Sequence, residues 1–178
     1  MATITRAPQD NGQIMIMASI GHVCLQWARL EMFVLGAIAA IERIPVEKSE
    51  VLFGGMDLIP RLNMAVNLAR HAKLPQPLVS RMDKIRKKVQ SDLADRRNQA
   101  VHGAHRDWEG YEVTLTMVRW KGDRRSQRLT VNDIHNLAME IHAVAEETYA
   151  AMEAVYAWRI NRIAEQNSLV DMTGQLRE

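Results

Sequence analysis

A long apolar stretch dominates the start of the chain. From Gln13 to Arg43, residues such as Ile20, Val23, Trp27, Leu30, Val34 and Ile38 recur at spacings that put apolar side chains on most sides of a helix. Ser19, His22, Gln26 and Arg29 succeed one another at intervals of three and four and draw a single polar stripe along it. The run Ile14 to Ala28 carries no formal charge, but the stripe and the nearby Glu31 favour a buried helix over a membrane span. A helix apolar over so much of its circumference needs cover from its own domain on one side and from a second copy on another, which points to a homodimer.

Pro45 ends the first helix, and Gly54-Gly55 marks a loop. Asp57 is a suitable N-cap for a second helix, with Pro60 in its first turn and Leu58, Leu62, Ala65, Val66 and Ala69 on its inner face. Pro75 and Pro77 open a third, in which Leu78, Met82, Ile85, Val89, Leu93 and Ala100 form a narrow stripe that leaves Lys84, Lys87 and Lys88 outside on a solvated face. This helix stops at Gly103, a position favoured for a left-handed cap.

The period then changes. Tyr111, Val113, Leu115 and Met117 alternate with Glu112, Thr114, Thr116 and Val118, a strand pattern with one apolar face; Lys121-Gly122-Asp123 supplies a turn and Ser126 to Leu129 a return. Thr130 and Asp133 form a capping pair for a fourth helix, whose stripe Ile134, Leu137, Ile141, Val144, Thr148, Met152, Val155 runs to Arg162 or beyond. The expected fold is mainly α, a four-to-five-helix bundle with a β-hairpin at about 111–129 inserted between the third and fourth main helices. One domain covers residues 13–166, between a flexible arm at 1–12 and a polar tail at 167–178.

Composition adjusts this picture little. The 178 residues suit one domain with a real core, and many methionines beside few aromatics suit helices more than a sandwich of strands. The net charge of +2 leaves any nucleic-acid partner to local basic clusters. Cys24 is the only cysteine, so there is no internal disulfide and no paired-cysteine zinc site, in keeping with a reducing cytosol. Residues Pro8 to Gly12 separate Arg6 from the apolar run and no small-residue cleavage pattern comes after it, so a signal peptide fits poorly and a cytoplasmic protein is expected. His71, His135 and His142 lack metal-ligand spacing to acids or cysteines; no metal and no cofactor are expected.

Chemistry concentrates in Arg96 to Gly103. Arg97 keeps its charge and can hold two phosphate oxygens at once, which suits the charge that builds on phosphorus in a transition state. His102, near the helix end where the dipole favours a cation, can take or give a proton, an effect of about 10²–10⁴-fold in rate. Together they suit RNA cleavage by the ribose 2′-hydroxyl without a metal. On an ideal wheel, however, Arg97 and His102 diverge, while Asn98 and His102 fall on one side a turn apart. Bringing the pair together needs a long arginine reaching round, a distorted last turn, or a group from a partner subunit.

Arg97-Asn98, three residues and then His102, near the end of the third helix of a bundle with long first and fourth helices, resembles the HEPN superfamily. The resemblance covers most of the chain as an order of helices, and its specific part is this short motif. It implies a dimer in which the arginine and histidine of two copies meet across a cleft, and a metal-independent endoribonuclease of the kind found in toxin–antitoxin pairs, phage defence and RNA processing. Arg97 and His102 would then be catalytic and Asn98 supporting, with RNA and a protein antitoxin or regulator as partners. Ala104 stands where one toxin group of the family has a tyrosine, so the tyrosine-directed inactivation of that group is not implied. Arg96, His105, Arg106, Lys121, Arg124, Arg125 and Arg128 are candidate RNA contacts; for the last four a charged hairpin tip that keeps a sheet edge soluble is an equal reading. The alternative function is a non-catalytic helical module that binds nucleic acid, a nucleotide or a protein through the same surface.

Overall fold

A computed structural model describes residues 11–109, 111–118 and 124–175, with backbone alone for 104–108, 115–118, 124–125 and 165–175. Lys121 and the greater part of the expected N-terminal arm lie outside the described residues, as do the side chains of His105, Arg106, Arg124 and Arg125.

The protein is mainly helical with a small antiparallel sheet. Helix α1 (Asn11–Glu42) leads to α2 (Val46–Phe53), α3 (Leu58–His71) and α4 (Gln76–Lys88). A π-helical turn at Val89–Leu93 joins α4 to α5 (Ala94–His102); strands β1 (Ala104–Glu109), β2 (Glu112–Val118) and β3 (Arg124–Thr130) and the long α6 (Val131–Gln175) complete the order. The chain groups into two compact units, residues 11–30 with 88–145 and residues 31–87 with 146–175. Both long helices contribute to both units.

The first unit has Ile16, Val23, Leu30, Leu93, Val113, Ile134 and Ile141 at its core, all fully buried. Its part of α1 is covered on one side only. Ile16, Ser19, Val23, Gln26, Trp27 and Leu30 are buried, whereas Ile14, Met17, Ala18, Gly21, Leu25 and Ala28 are exposed. A Cβ placed on Gly21 would meet nothing within 4 Å. By length and composition α1 could cross a membrane, and 61% of its most apolar 18-residue stretch is buried within the protein.

The second unit buries Val34, Ile38, Leu62, Val66, Ile85 and Val155. Arg61 is buried there as well, its Nε donating to the Met56 carbonyl at 2.6 Å and its guanidinium 3.7 Å from Glu31. A buried charge persists only where it is paired and hydrogen-bonded in this way. Helices α1 and α3 end alike: Arg43 and Lys73 adopt left-handed backbone (φ 61° and 56°), and the next amide, Ile44 or Leu74, donates back to Ala39 or Ala69 at 3.2 and 3.1 Å. Pro45 and Pro75 then forbid continuation.

Four details differ from the sequence expectation. Helix α2 was not foreseen, because Val46, Val51 and Leu52 are exposed and leave no apolar stripe to read; Ser49 is its buried residue, donating its hydroxyl to the carbonyls of Val46 (2.7 Å) and Leu35 (3.3 Å). The hairpin is the β2–β3 half of a three-stranded antiparallel sheet of order β1-β2-β3. Strand β1 has no apolar alternation and forms an edge whose register against β2 shifts between Arg106 and Trp108. Gly103 is extended (φ −62°, ψ 140°) and not left-handed, because the chain passes straight from α5 into β1. Helix α6 continues to Gln175, through most of the stretch expected to be a tail.

The junction of β3 and α6 is closed by the capping pair. The Thr130 amide and hydroxyl both donate to Asp133 Oδ2 at 2.8 Å, and the Asp133 amide donates to Thr130 Oγ1 at 3.1 Å. The Thr130 backbone amide, with its hydroxyl, holds the Asp133 carboxyl below the usual carboxylate range. This contribution is present above the unfolded value of about 4 and is lost as pH falls through the lower folded value. Thr130→Ala is expected to lower stability by about 1 kcal/mol at neutral pH, with the difference from wild type shrinking in acid, as urea unfolding at several pH values will show.

Candidate functional site

The π turn at Val89–Leu93 decides where the motif faces. Such a turn holds an extra residue, and each extra residue displaces the side chains beyond it by roughly a quarter turn about the axis. Leu93 and Ala100 are buried, as the expected stripe has them, Ala94 joins them, and Arg97 is turned towards α1. There the Arg97 guanidinium lies over the indole of Trp27, 5.4 Å from the ring centroid, and Trp27 is itself buried. A cation over an indole face is attracted by the ring quadrupole. The Nε atom of Arg97 is buried and has no hydrogen-bond partner among the described residues.

From this platform Arg97 reaches round the helix. Its Nη1 donates to His102 Nε2 at 2.9 Å and to Asn98 Oδ1 at 3.1 Å. One chain therefore brings Arg97, Asn98 and His102 together, by the first of the three routes that the divergence on the wheel left open. A guanidinium is only a donor, so the Nε2 atom facing it presents a lone pair and the ring proton sits on Nδ1. The lone pair needed by a general base is thus aimed into the same small space as the guanidinium N–H groups. His102 and Asn98 are exposed, and Arg97 is half-buried.

Arg96 goes elsewhere. Its Nη1 and Nη2 donate to the two carboxylate oxygens of Glu140 on α6 at 2.8 and 2.9 Å, a two-pronged pair, and Nη1 lies 3.4 Å from Asp92 Oδ1. Lys88 also reaches Asp92, at 2.5 Å. The Arg96 hydrogen bonds hold the Glu140 carboxyl below the usual range, the Lys88 hydrogen bond does the same for Asp92, and Asp92 in turn raises Lys88. Arg128, the described member of the hairpin cluster, is paired with Glu109 and Glu112.

The polar stripe of α1 faces inward at two of its positions. Ser19 and Gln26 are buried. The Gln26 amide donates to His22 Nε2 at 3.0 Å, and Arg29 Nη1 donates to Gln26 Oε1 at 3.1 Å and to His142 Nδ1 at 3.2 Å. His22 and His135 stand with ring centroids 5.9 Å apart. This network ties α1 to α6 through bonds that satisfy otherwise buried polar atoms. Among the described residues no group of three or more His, Cys, Asp or Glu is arranged to hold a metal ion.

Sequence reasoning missed Trp27 and Glu140 as partners of the motif. Trp27 reads as one more apolar residue on a core helix, and Glu140 as a polar position beside Ile141, so only tertiary packing reveals either. Arg97→Ala is expected to move the ring-nitrogen resonances of His102 in ¹⁵N NMR spectra, because Nε2 loses its donor. Arg96→Ala, which disturbs only the Glu140 side of α5, should leave them in place. Equal responses to the two substitutions would dissolve the Arg97–His102 pair as a unit.

No protein family, curated protein or solved structure matches this chain.

Proposed function

We propose that the protein is a metal-independent endoribonuclease that acts as a cytoplasmic homodimer and cleaves RNA through attack of the ribose 2′-hydroxyl. The observation that carries this reading is the hydrogen bond of 2.9 Å from Arg97 to His102 Nε2, which joins a fixed cation to an unprotonated imidazole nitrogen. His102 accepts the 2′-hydroxyl proton as the new oxygen–phosphorus bond forms; the bond from phosphorus to the 5′-oxygen breaks, and a proton returned by an imidazolium or water completes the leaving hydroxyl. Arg97 turns its N–H groups to the two non-bridging oxygens and stabilises the charge gathered there. Asn98, one turn from His102, orients the substrate or the arginine. The products are a 2′,3′-cyclic phosphate and a 5′-hydroxyl.

A second copy is supported by the open apolar face of α1, where Ile14, Met17 and Leu25 are 47, 57 and 59% exposed and interspersed with the small residues Ala18, Gly21 and Ala28. Small residues among apolar ones let a second helix approach closely, and contiguous apolar surface of this kind marks interaction sites. Trp27, which carries Arg97, lies on the buried side of the same helix. Service in a toxin–antitoxin pair, in phage defence or in RNA processing belongs to the same proposal. A non-catalytic binding module is favoured by one observation, that Arg97 Nη1 already donates to both His102 and Asn98 without a substrate.

Purified protein incubated with single-stranded RNA in EDTA is expected to release fragments ending in 2′,3′-cyclic phosphate. His102→Ala should slow cleavage by about 10²-fold or more while circular dichroism stays unchanged. RNA retained without cleavage by the folded wild type would establish the binding module instead, and undiminished cleavage by His102→Ala would remove His102 from the chemistry.

A further inference from the structure

On the side of α5 that carries Arg96, a cleft of about 500 Å³ opens between α5, β3 and the first turns of α6. Its volume falls in the range of small-molecule sites. Leu129, Ile134 and Leu137 line its apolar side, and of these Leu129 is the one with surface exposed to the cleft. Its charges cancel internally. Arg96 is held by Glu140, Arg128 by Glu109 and Glu112, and the Asp133 carboxylate is taken by the amide and hydroxyl of Thr130. A phosphate entering here would meet guanidinium groups already neutralised by carboxylates. A neutral polar ligand loses nothing on that account.

The cleft offers such a ligand three amide side chains, those of Gln99, Gln127 and Asn136. None of them makes a side-chain hydrogen bond among the described residues. Each amide presents an acceptor beside a pair of donors, the pattern that matches the edge of a nucleobase. The two-pronged pair with Glu140 holds the Arg96 guanidinium by its edge and fixes its plane, and bases stack on the faces of such planes. Polar groups at the edge, a planar cation and an apolar wall are the three elements by which proteins hold an unpaired base.

We infer that this cleft is a nucleobase-binding site, distinct from the Arg97–His102 pair. Gln99 lies between those two residues in the chain and belongs to the same helix, so a base held here stays with the helix that carries the cleavage motif. That the base belongs to an RNA strand rests on the ribonuclease proposal; that the cleft takes a base does not.

The test is a ¹H–¹⁵N NMR titration of the full chain with adenosine, guanosine, cytidine and uridine, and with ribose 5-phosphate as a base-free control. At least one nucleoside is expected to shift the side-chain amide signals of Gln99, Gln127 and Asn136, with an affinity that changes less than about twofold between low and high salt, since no phosphate is neutralised. Gln99→Leu and Asn136→Leu should each weaken that binding by about tenfold, the loss of one base-edge contact, with the amide spectrum otherwise folded. Short RNA oligonucleotides added to His102→Ala protein identify the source. Shifts of the same amides indicate a base within a strand, and shifts with nucleosides alone indicate a free nucleoside; either outcome supports the site. The inference is overturned if no nucleoside moves these amides, if ribose 5-phosphate moves them as strongly, or if binding survives both substitutions. Because the readout is binding, failure of the ribonuclease reading would leave this result standing, and the converse also holds.

Discussion

The wide turn at Val89–Leu93 is the constraint on which the first unit depends. On a regular helix through these residues the apolar stripe passes close to Arg96 and leaves Arg97 at its flank. The extra residue in the turn rotates the helix beyond it, so Arg97 meets Trp27 while Arg96 meets Glu140. Two adjacent arginines thereby serve opposite sides of one short helix, one fixed by an aromatic face and the other by a carboxylate. The two-pronged carboxylate pair sets the plane of Arg96, and the attraction of a cation to an indole face holds Arg97. A π turn has poorer backbone hydrogen bonding than the α-helix around it, and its retention in the middle of a long helical segment is characteristic of places where side chains are aimed.

Much of this was legible in the chain. The stripe Leu58, Leu62, Ala65, Val66, Ala69 became the buried face of α3, and Thr130 with Asp133 became a reciprocal cap at the start of α6. Both signals are local, set by three- and four-residue spacing and by one hydroxyl three residues before a carboxylate. The motif trio was legible as well, though the means by which it assembles was not. The wheel has fixed angles and no side-chain length, so it could not choose between a reaching arginine and a distorted helix. Both features are present, with the distortion lying upstream of the motif.

The features that escaped the sequence did so for identifiable reasons. Strand β1 has the polar composition of an edge and owes its form to pairing with β2, a partner that comes later in the chain. Helix α2 is short and keeps its larger apolar residues outside, so no moment points inward. The extended Gly103 could not be foreseen because the expected left-handed cap assumes a loop after the helix, and here a strand begins at the next residue.

The bond from Arg97 to His102 has a consequence of its own. Nη1 of Arg97 and the Nε2 lone pair of His102 occupy each other, so the imidazole nitrogen that would take a proton is engaged within its own motif. An anion that draws the guanidinium away also uncovers the imidazole nitrogen. Under the proposed function the motif would be a latch, opened by the phosphate for which the arginine exchanges its neighbour.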